Sequence, residues 1–145
     1  LIKESKTDYN ILRNDLSHYL LKIFSENVDS EYPQRIFEIG KIFYSEKKEI
    51  SEKENLSIAI TPGNFTELRQ ILEYLFRMLG KEVKIKEPTE FPLHFIEGRV
   101  AEILINNKKA GFIGEIHPKI LKNWKLKMPV TLLEISLEEV FNKLE

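Results

Sequence analysis

The sequence predicts an α+β fold, an antiparallel β-sheet flanked by helices. Three observations predict it. Two strand–turn–strand patterns, over 34–61 and 100–116, favour antiparallel pairing. Two stretches, over 12–24 and 64–79, repeat apolar residues every three or four positions, as helices that bury one face do. No internal repeat or low-complexity tract interrupts them, so residues 1–145 are expected to form one module around a single core.

Residues 1–10 are polar, and the chain opens on Leu1 rather than Met; it is expected to be a piece excised from a longer protein. Leu12, Leu16, Tyr19, Leu20, Ile23 and Phe24 then make an amphipathic helix, with Asn14 or Asp15 as its N-cap and its end near Asn27. Tyr32-Pro33 breaks the chain before a strand over 34–44. The run SEKKEISEKEN over 45–55 is expected as a solvated hairpin tip, with a partner contact as its alternative. A strand over 56–61 returns, and Pro62-Gly63 turns the chain. Asn64 and Glu67 have the spacing of a capping box. Leu68, Ile71, Leu72, Leu75, Phe76 and Leu79 share a face behind it, and Gly80 stands where a left-handed residue ends a helix. An edge strand is expected over 83–86, then a hairpin with strands over 100–105 and 111–116 around a turn at 106–109. His117-Pro118 opens a short helix and 130–136 is the last strand. Ser136 and Glu139 cap a terminal helix ending near Leu144.

Composition narrows the function. The 22 Lys+Arg and 23 Asp+Glu give a formal net charge of −1, unlike a uniformly basic nucleic-acid binder. There is no cysteine, which excludes disulfides, thiolate catalysis and cysteine zinc sites. No apolar run approaches the ~18 residues that span a bilayer, so no membrane partner is expected. Abundant Lys, Glu and Ile fit a thermophile's protein or an AT-rich genome equally.

Few side chains suggest chemistry. Glu38, Glu102, Glu115 and Glu134 lie in strands; gathered on one face they would suit a metal or an acid–base pair. Cross-strand pairing with cations is the expectation instead. His18, His94 and His117 lack metal-ligand spacing and are read as structural. Lys119, Lys122, Trp124 and Lys125 form the one basic cluster with an aromatic residue. It can serve RNA phosphate and base, or be a surface helix whose Ile120, Leu121 and Trp124 pack inward.

Four segments in order carry a resemblance. Residues 12–21, LRNDLSHYLL, resemble an "LRTSLLPGLL" helix, and 36–43, IFEIGKIF, an "LFEIGxVF" strand. Residues 98–103, GRVAEI, are similar to "PGRxAxI", and 111–118, GFIGEIHP, to "xGxIGExHP". Together they resemble the class II synthetase-like C-terminal module of phenylalanyl-tRNA synthetase β subunits, of the archaeal and eukaryotic type. Ser17-His18 in place of Leu-Pro, and Glu97 in place of Pro, depart from the pattern.

The resemblance implies a class II aminoacyl-tRNA synthetase-like sheet without its chemistry. In catalytic members an arginine of a "FRxE" strand grips the ATP α-phosphate, and a second belongs to a glycine-rich strand–helix motif. Here Tyr44 stands in Phe43-Tyr44-Ser45-Glu46, and the last strand carries neither those glycines nor an arginine. Arginine's planar fork suits developing phosphate charge, and one such donor is commonly worth ~3 kcal/mol. No catalytic, substrate-binding or metal residue is therefore assigned, and the chain is expected to be inactive alone. The implied setting is a cytoplasmic α2β2 ligase. It charges its tRNA with phenylalanine using ATP and magnesium bound by the α subunit, against which this module packs. A free-standing paralogue binding a small ligand or RNA is the alternative.

Overall fold

The structure, a computed structural model, describes residues 12–141. Both strand–turn–strand patterns close as antiparallel hairpins, and with two further strands they make one six-stranded antiparallel sheet. In chain order the elements are α1 (Ser17–Glu26), β1 (Gln34–Glu46), β2 (Glu49–Thr61), α2 (Phe65–Met78) and β3 (Val83–Lys86). There follow β4 (Phe95–Ile105), β5 (Lys108–Ile116), α3 (Pro118–Asn123), β6 (Thr131–Ser136) and α4 (Leu137–Phe141). Across the sheet the order is β1–β2–β6–β5–β4–β3, so β6 joins the two hairpins and β3 is the expected edge.

Alternation sends side chains to two faces, and each has its own core. On one face Ile60, Ile103, Ile113, Leu133 and Ile135 meet Leu68, Leu72 and Phe76 of α2 and Val140 of α4. On the other, Ala59, Val100, Ile116 and Leu132 meet Leu20, Leu21 and Phe24 of α1 and Ile120 of α3. Burying each leucine- or phenylalanine-sized side chain contributes roughly 1.5–3 kcal/mol, so these layers hold the helices to the sheet.

The predicted helix over 64–79 is accurate, and its caps explain why. Asn64 Oδ1 accepts the Glu67 N–H at 2.9 Å. The reciprocal half of the capping box is not made, because the Glu67 carboxylate instead accepts from Arg35 of β1 at 2.7 Å. Gly80 takes φ +65°, and the Lys81 N–H returns to the Phe76 carbonyl at 3.0 Å, closing the end.

Four expectations need correction. Leu12 lies outside α1 and is 39% exposed. The residue after it pairs with β1 instead, the Phe43 N–H donating to the Arg13 carbonyl at 2.8 Å. The charge run over 45–55 is mostly strand: only Lys47 and Lys48, with φ 49° and 68°, form the turn. Strand β6 pairs with β2 over 55–60 only, so 41–46 and 49–54 form a two-stranded ribbon beyond the sheet. Its exposure favours charge, and Lys41 pairs with Glu52 at 2.8 Å. The second hairpin turn is likewise two residues, Asn106 and Asn107 with φ 52° and 62°, so β5 starts at Lys108. Strand β4 starts at Phe95 rather than 100, because a register shift at Gly98 keeps Phe95 paired with Ile116. The expected terminal-helix end near Leu144 lies outside the described residues, as do residues 1–10.

Candidate functional site

The strand register places the glutamates. Glu38, Ser57, Glu134, Phe112, Glu102 and Lys86 are successive cross-strand partners in one row across all six strands. Directly paired residues share a face, and this row lies on the α1 side. Neighbouring strands are ~4.8 Å apart, so Glu134 stands two strands, roughly 10 Å, from Glu38 and from Glu102. Glu115 alternates with Phe112 and Gly114 onto the other face. The four carboxylates are not one constellation.

Three of them are neutralised by separate cations. Arg13 Nη1 meets Glu38 at 2.6 Å, Arg99 meets Glu115 at 2.9 Å, and buried Glu102 takes Lys86 at 3.2 Å and Lys109 at 3.7 Å. Among the described residues no group of three or more His, Asp or Glu converges to hold a metal ion. Glu134 makes no ion pair among the described residues, and Lys53 acts on it only from farther away. Its Oε1 accepts the Leu16 N–H at 2.6 Å and its Oε2 accepts from Asn55 Nδ2 at 3.2 Å. A carboxylate from the far end of the chain thus caps α1, whose own first turn has no acidic residue.

Glu134 also forms part of the wall of a cleft of about 790 Å³ on the α1 side of the sheet. Its floor includes Ile42 and Tyr44 of β1, Lys53 and Asn55 of β2, Phe112 of β5 and Ser136 of β6. Asn14, Asp15 and Ser17 border it at the start of α1, Pro92 to Phe95 on one side, and Glu138 and Glu139 of α4 on another.

The electrostatics of this wall follow from burial. Burial pushes the Glu134 carboxyl up to about 7, with the nearby Asp15 charge adding to the rise and the Leu16 and Asn55 hydrogen bonds opposing it. Burial would raise Asp15 too. Hydrogen bonds from Ser17 and His18 and the proximity of His18 and His94 outweigh that and hold it below its usual range. The Ser17 N–H and hydroxyl donate to Asp15 Oδ1 at 3.0 and 2.6 Å, so Asp15 supports the start of α1, but the N-cap position is Leu16 rather than the expected Asn14 or Asp15. Burial holds the His94 imidazole below its ordinary value, against the pull of Asp15.

The cleft does not suit a triphosphate. Among the described residues it is bordered by Asp15, Glu46, Glu134, Glu138 and Glu139 against Lys53 and Lys109, with no arginine in its lining. Lys109 also pairs with Glu102, and Lys53 lies over the Tyr44 ring at 5.3 Å. The arginines work elsewhere: Arg13 on Glu38 and the Tyr19 ring, Arg35 on Glu67, Arg69 on Glu73 and Arg99 on Glu115. Tyr44 of β1 also lines the cleft.

The basic cluster is elsewhere on the α1 side. Ile120, Leu121, Trp124 and Leu126 pack against the core there, so the indole is not a free stacking platform. Lys119, Lys122 and Lys125 remain exposed around it. His117 caps α3, its Nδ1 accepting the Lys119 N–H at 3.1 Å, and His18 contacts Asp15 at 3.0 Å. Sequence reading missed Asn55 and the cleft role of Glu134. The available signal was polar residues at inward-facing positions of otherwise apolar strands.

Comparisons with known proteins agree with this picture. The family model of the phenylalanyl tRNA synthetase beta chain CLM domain matches residues 2–137. Phenylalanine–tRNA ligase beta subunits of Thermococcus sibiricus and Pyrococcus abyssi are 44% and 42% identical over 138 residues, 92% of this chain. That of Archaeoglobus fulgidus is 35% identical over 138 residues, 94% of the chain. The chain spans 24% of the length of each of these relatives. Among solved structures, pyrrolysyl-tRNA synthetase from Desulfitobacterium hafniense superposes with a TM-score of 0.67 at 16% identity, over 88% of this chain and 47% of that one. At that identity the likeness speaks to the fold alone, which is the expected synthetase-type antiparallel sheet. The ordered motifs, the register that carries them and the relatives agree: this chain belongs to the CLM domain family of phenylalanyl-tRNA synthetase β chains.

Proposed function

We propose that this chain is a non-catalytic module of a β subunit, holding a phenylalanine–tRNA ligase together while an α subunit supplies the active site. The observation that carries it is the cleft on the synthetase-type sheet. Among the described residues five carboxylates and two engaged lysines border it, and Tyr44 stands where the family resemblance would place an arginine. A triphosphate placed there would meet net negative charge in a partly desolvated site, where repulsion is strongest. ATP and magnesium belong, on this reading, to the α subunit of a cytoplasmic α2β2 assembly that also takes the tRNA.

The surface supports a bracing role. Along the free edge strand β1, on the α2 side, Phe37 and Ile39 are 71% and 56% exposed, and Ile50 of the ribbon is 71% exposed. The register puts all three on one side of the ribbon, through Phe37↔Ile58, Ile39↔Leu56 and Ser45↔Ile50. An exposed apolar strip at a sheet edge is a liability unless a partner covers it.

Analytical ultracentrifugation with the cognate α subunit tests this. A co-sedimenting complex is expected, weakened about tenfold or more by the double change Phe37→Asp, Ile39→Asp. Separate boundaries at high concentration of both chains would overturn it.

A further inference from the structure

The cleft that suits a triphosphate so poorly has features that select a different ligand. Glu46, Glu138 and Glu139 border it and take part in no ion pair among the described residues. Asn55 lines it while only 5% exposed. Its Nδ2 is used by Glu134, but its Oδ1 is buried without any hydrogen-bond partner. An orphaned buried acceptor costs roughly 1–3 kcal/mol unless a donor reaches it. Among the described residues the cleft therefore has more carboxylates than ammonium groups, and one buried acceptor that no donor meets.

A metal ion does not fit, because the acidic groups do not converge. The chain's own lysines show what does. Lys53 Nζ lies 5.3 Å from the centre of the Tyr44 ring, and Lys109 Nζ lies 4.7 Å from that of Phe112. Both rings line the cleft, so it already receives two ammonium groups over aromatic faces beside carboxylates. Its volume of about 790 Å³ falls in the range of small-molecule sites.

We infer that this cleft binds a small organic polycation with primary ammonium groups, of the diamine or polyamine class. One ammonium supplies N–H donors at Asn55 and Glu134. The other end of the molecule lies toward Glu138 and Glu139, and its methylene stem covers Ile42 and Phe112. Neutralising separate carboxylates with one flexible cation explains acidic groups that are spread out rather than clustered.

The test is a titration of the 145-residue chain with putrescine and spermidine at constant ionic strength, followed by backbone amide NMR. Saturable shifts centred on Asn55, Gly111 and Ser136 are expected, tighter for the triamine. The exposed-side double change Glu138→Gln, Glu139→Gln should weaken binding about fivefold, as loss of charge partners at a partly exposed site does. Glu46→Gln, on β1, provides a second variant outside α4. Magnesium chloride at matched ionic strength should give no saturable shift. Non-saturating amine shifts, equal shifts with magnesium, or affinities unchanged in both variants would each overturn the inference. It stands apart from the subunit reading: a failed amine titration leaves association intact, and failed association leaves the cleft's ligand unaffected.

Discussion

Gly111→Ala is expected to destabilise the chain by about 3 kcal/mol or more. Gly111 pairs with Ile103 on one side and Ile135 on the other, next to the register shift between Ile103 and Leu104. A methyl group added there would overlap the Glu134 carbonyl oxygen and press on the Ile135 Cα. Those are backbone atoms of a central strand, so no rotamer change relieves the overlap; β5 and β6 must move apart. Because Glu134 both caps α1 and walls the cleft, the disturbance reaches the site as well. Denaturant unfolding followed by circular dichroism checks this, with Gly80→Ala as the comparison. Gly80 has a left-handed backbone but open space around it, so its substitution should cost only about 1 kcal/mol. A loss below that comparison value at Gly111 would mean that the strands are not packed as described.

The second large effect depends on pH. The Glu134 carboxyl binds its proton more tightly in the folded chain, at about 7, than at its ordinary value of 4.5. Between those values the folded chain keeps a proton that the unfolded chain has shed, so stability falls as pH rises. The slope is about 1.4 kcal/mol per pH unit, roughly 3 kcal/mol across the window. His94 acts in the opposite direction: its lowered imidazole contributes stability that is present above 6.5 and lost as pH falls. Asp15 adds stability present above 3.8 and lost only below it. Comparing wild type with Glu134→Gln cancels both, since the amide can still accept the Leu16 N–H but does not titrate. The stability gap should shift in favour of the Gln variant by roughly 3 kcal/mol from pH 4.5 to 7.5. Parallel curves would show that this carboxyl titrates normally.

Much of the fold was legible in the chain because local and long-range preferences agree. The helix over 65–78 has its cap, its apolar face and its terminating Gly80 within one contiguous stretch. The hairpin at Asn106-Asn107 likewise carries its own turn chemistry. The glycines of GFIG are also readable once strand packing is known, since side chains at Gly111 and Gly114 would meet the backbones of β6 and β4.

What was illegible depends on partners far along the chain. The ribbon over 41–54 reads as a loop because its charge reports exposure, not backbone conformation. The cap of α1 comes from Glu134, 118 positions away, and no local pattern predicts that pairing. The cleft gathers residues from the start of α1, α4, the 92–94 loop and five strands, so its acidity is invisible in a balanced composition. The expectation of an arginine at the Tyr44 position comes only from the family resemblance. That the remaining arginines all lie outside the cleft needed the sheet register.

Calorimetric titration of magnesium–ATP, and of a phenylalanyl-adenylate analogue, into this chain addresses the main claim most directly. A cleft with no arginine in its described lining should give only heats of dilution. A saturable, stoichiometric signal in the micromolar range would mean that nucleotide recognition persists in this module.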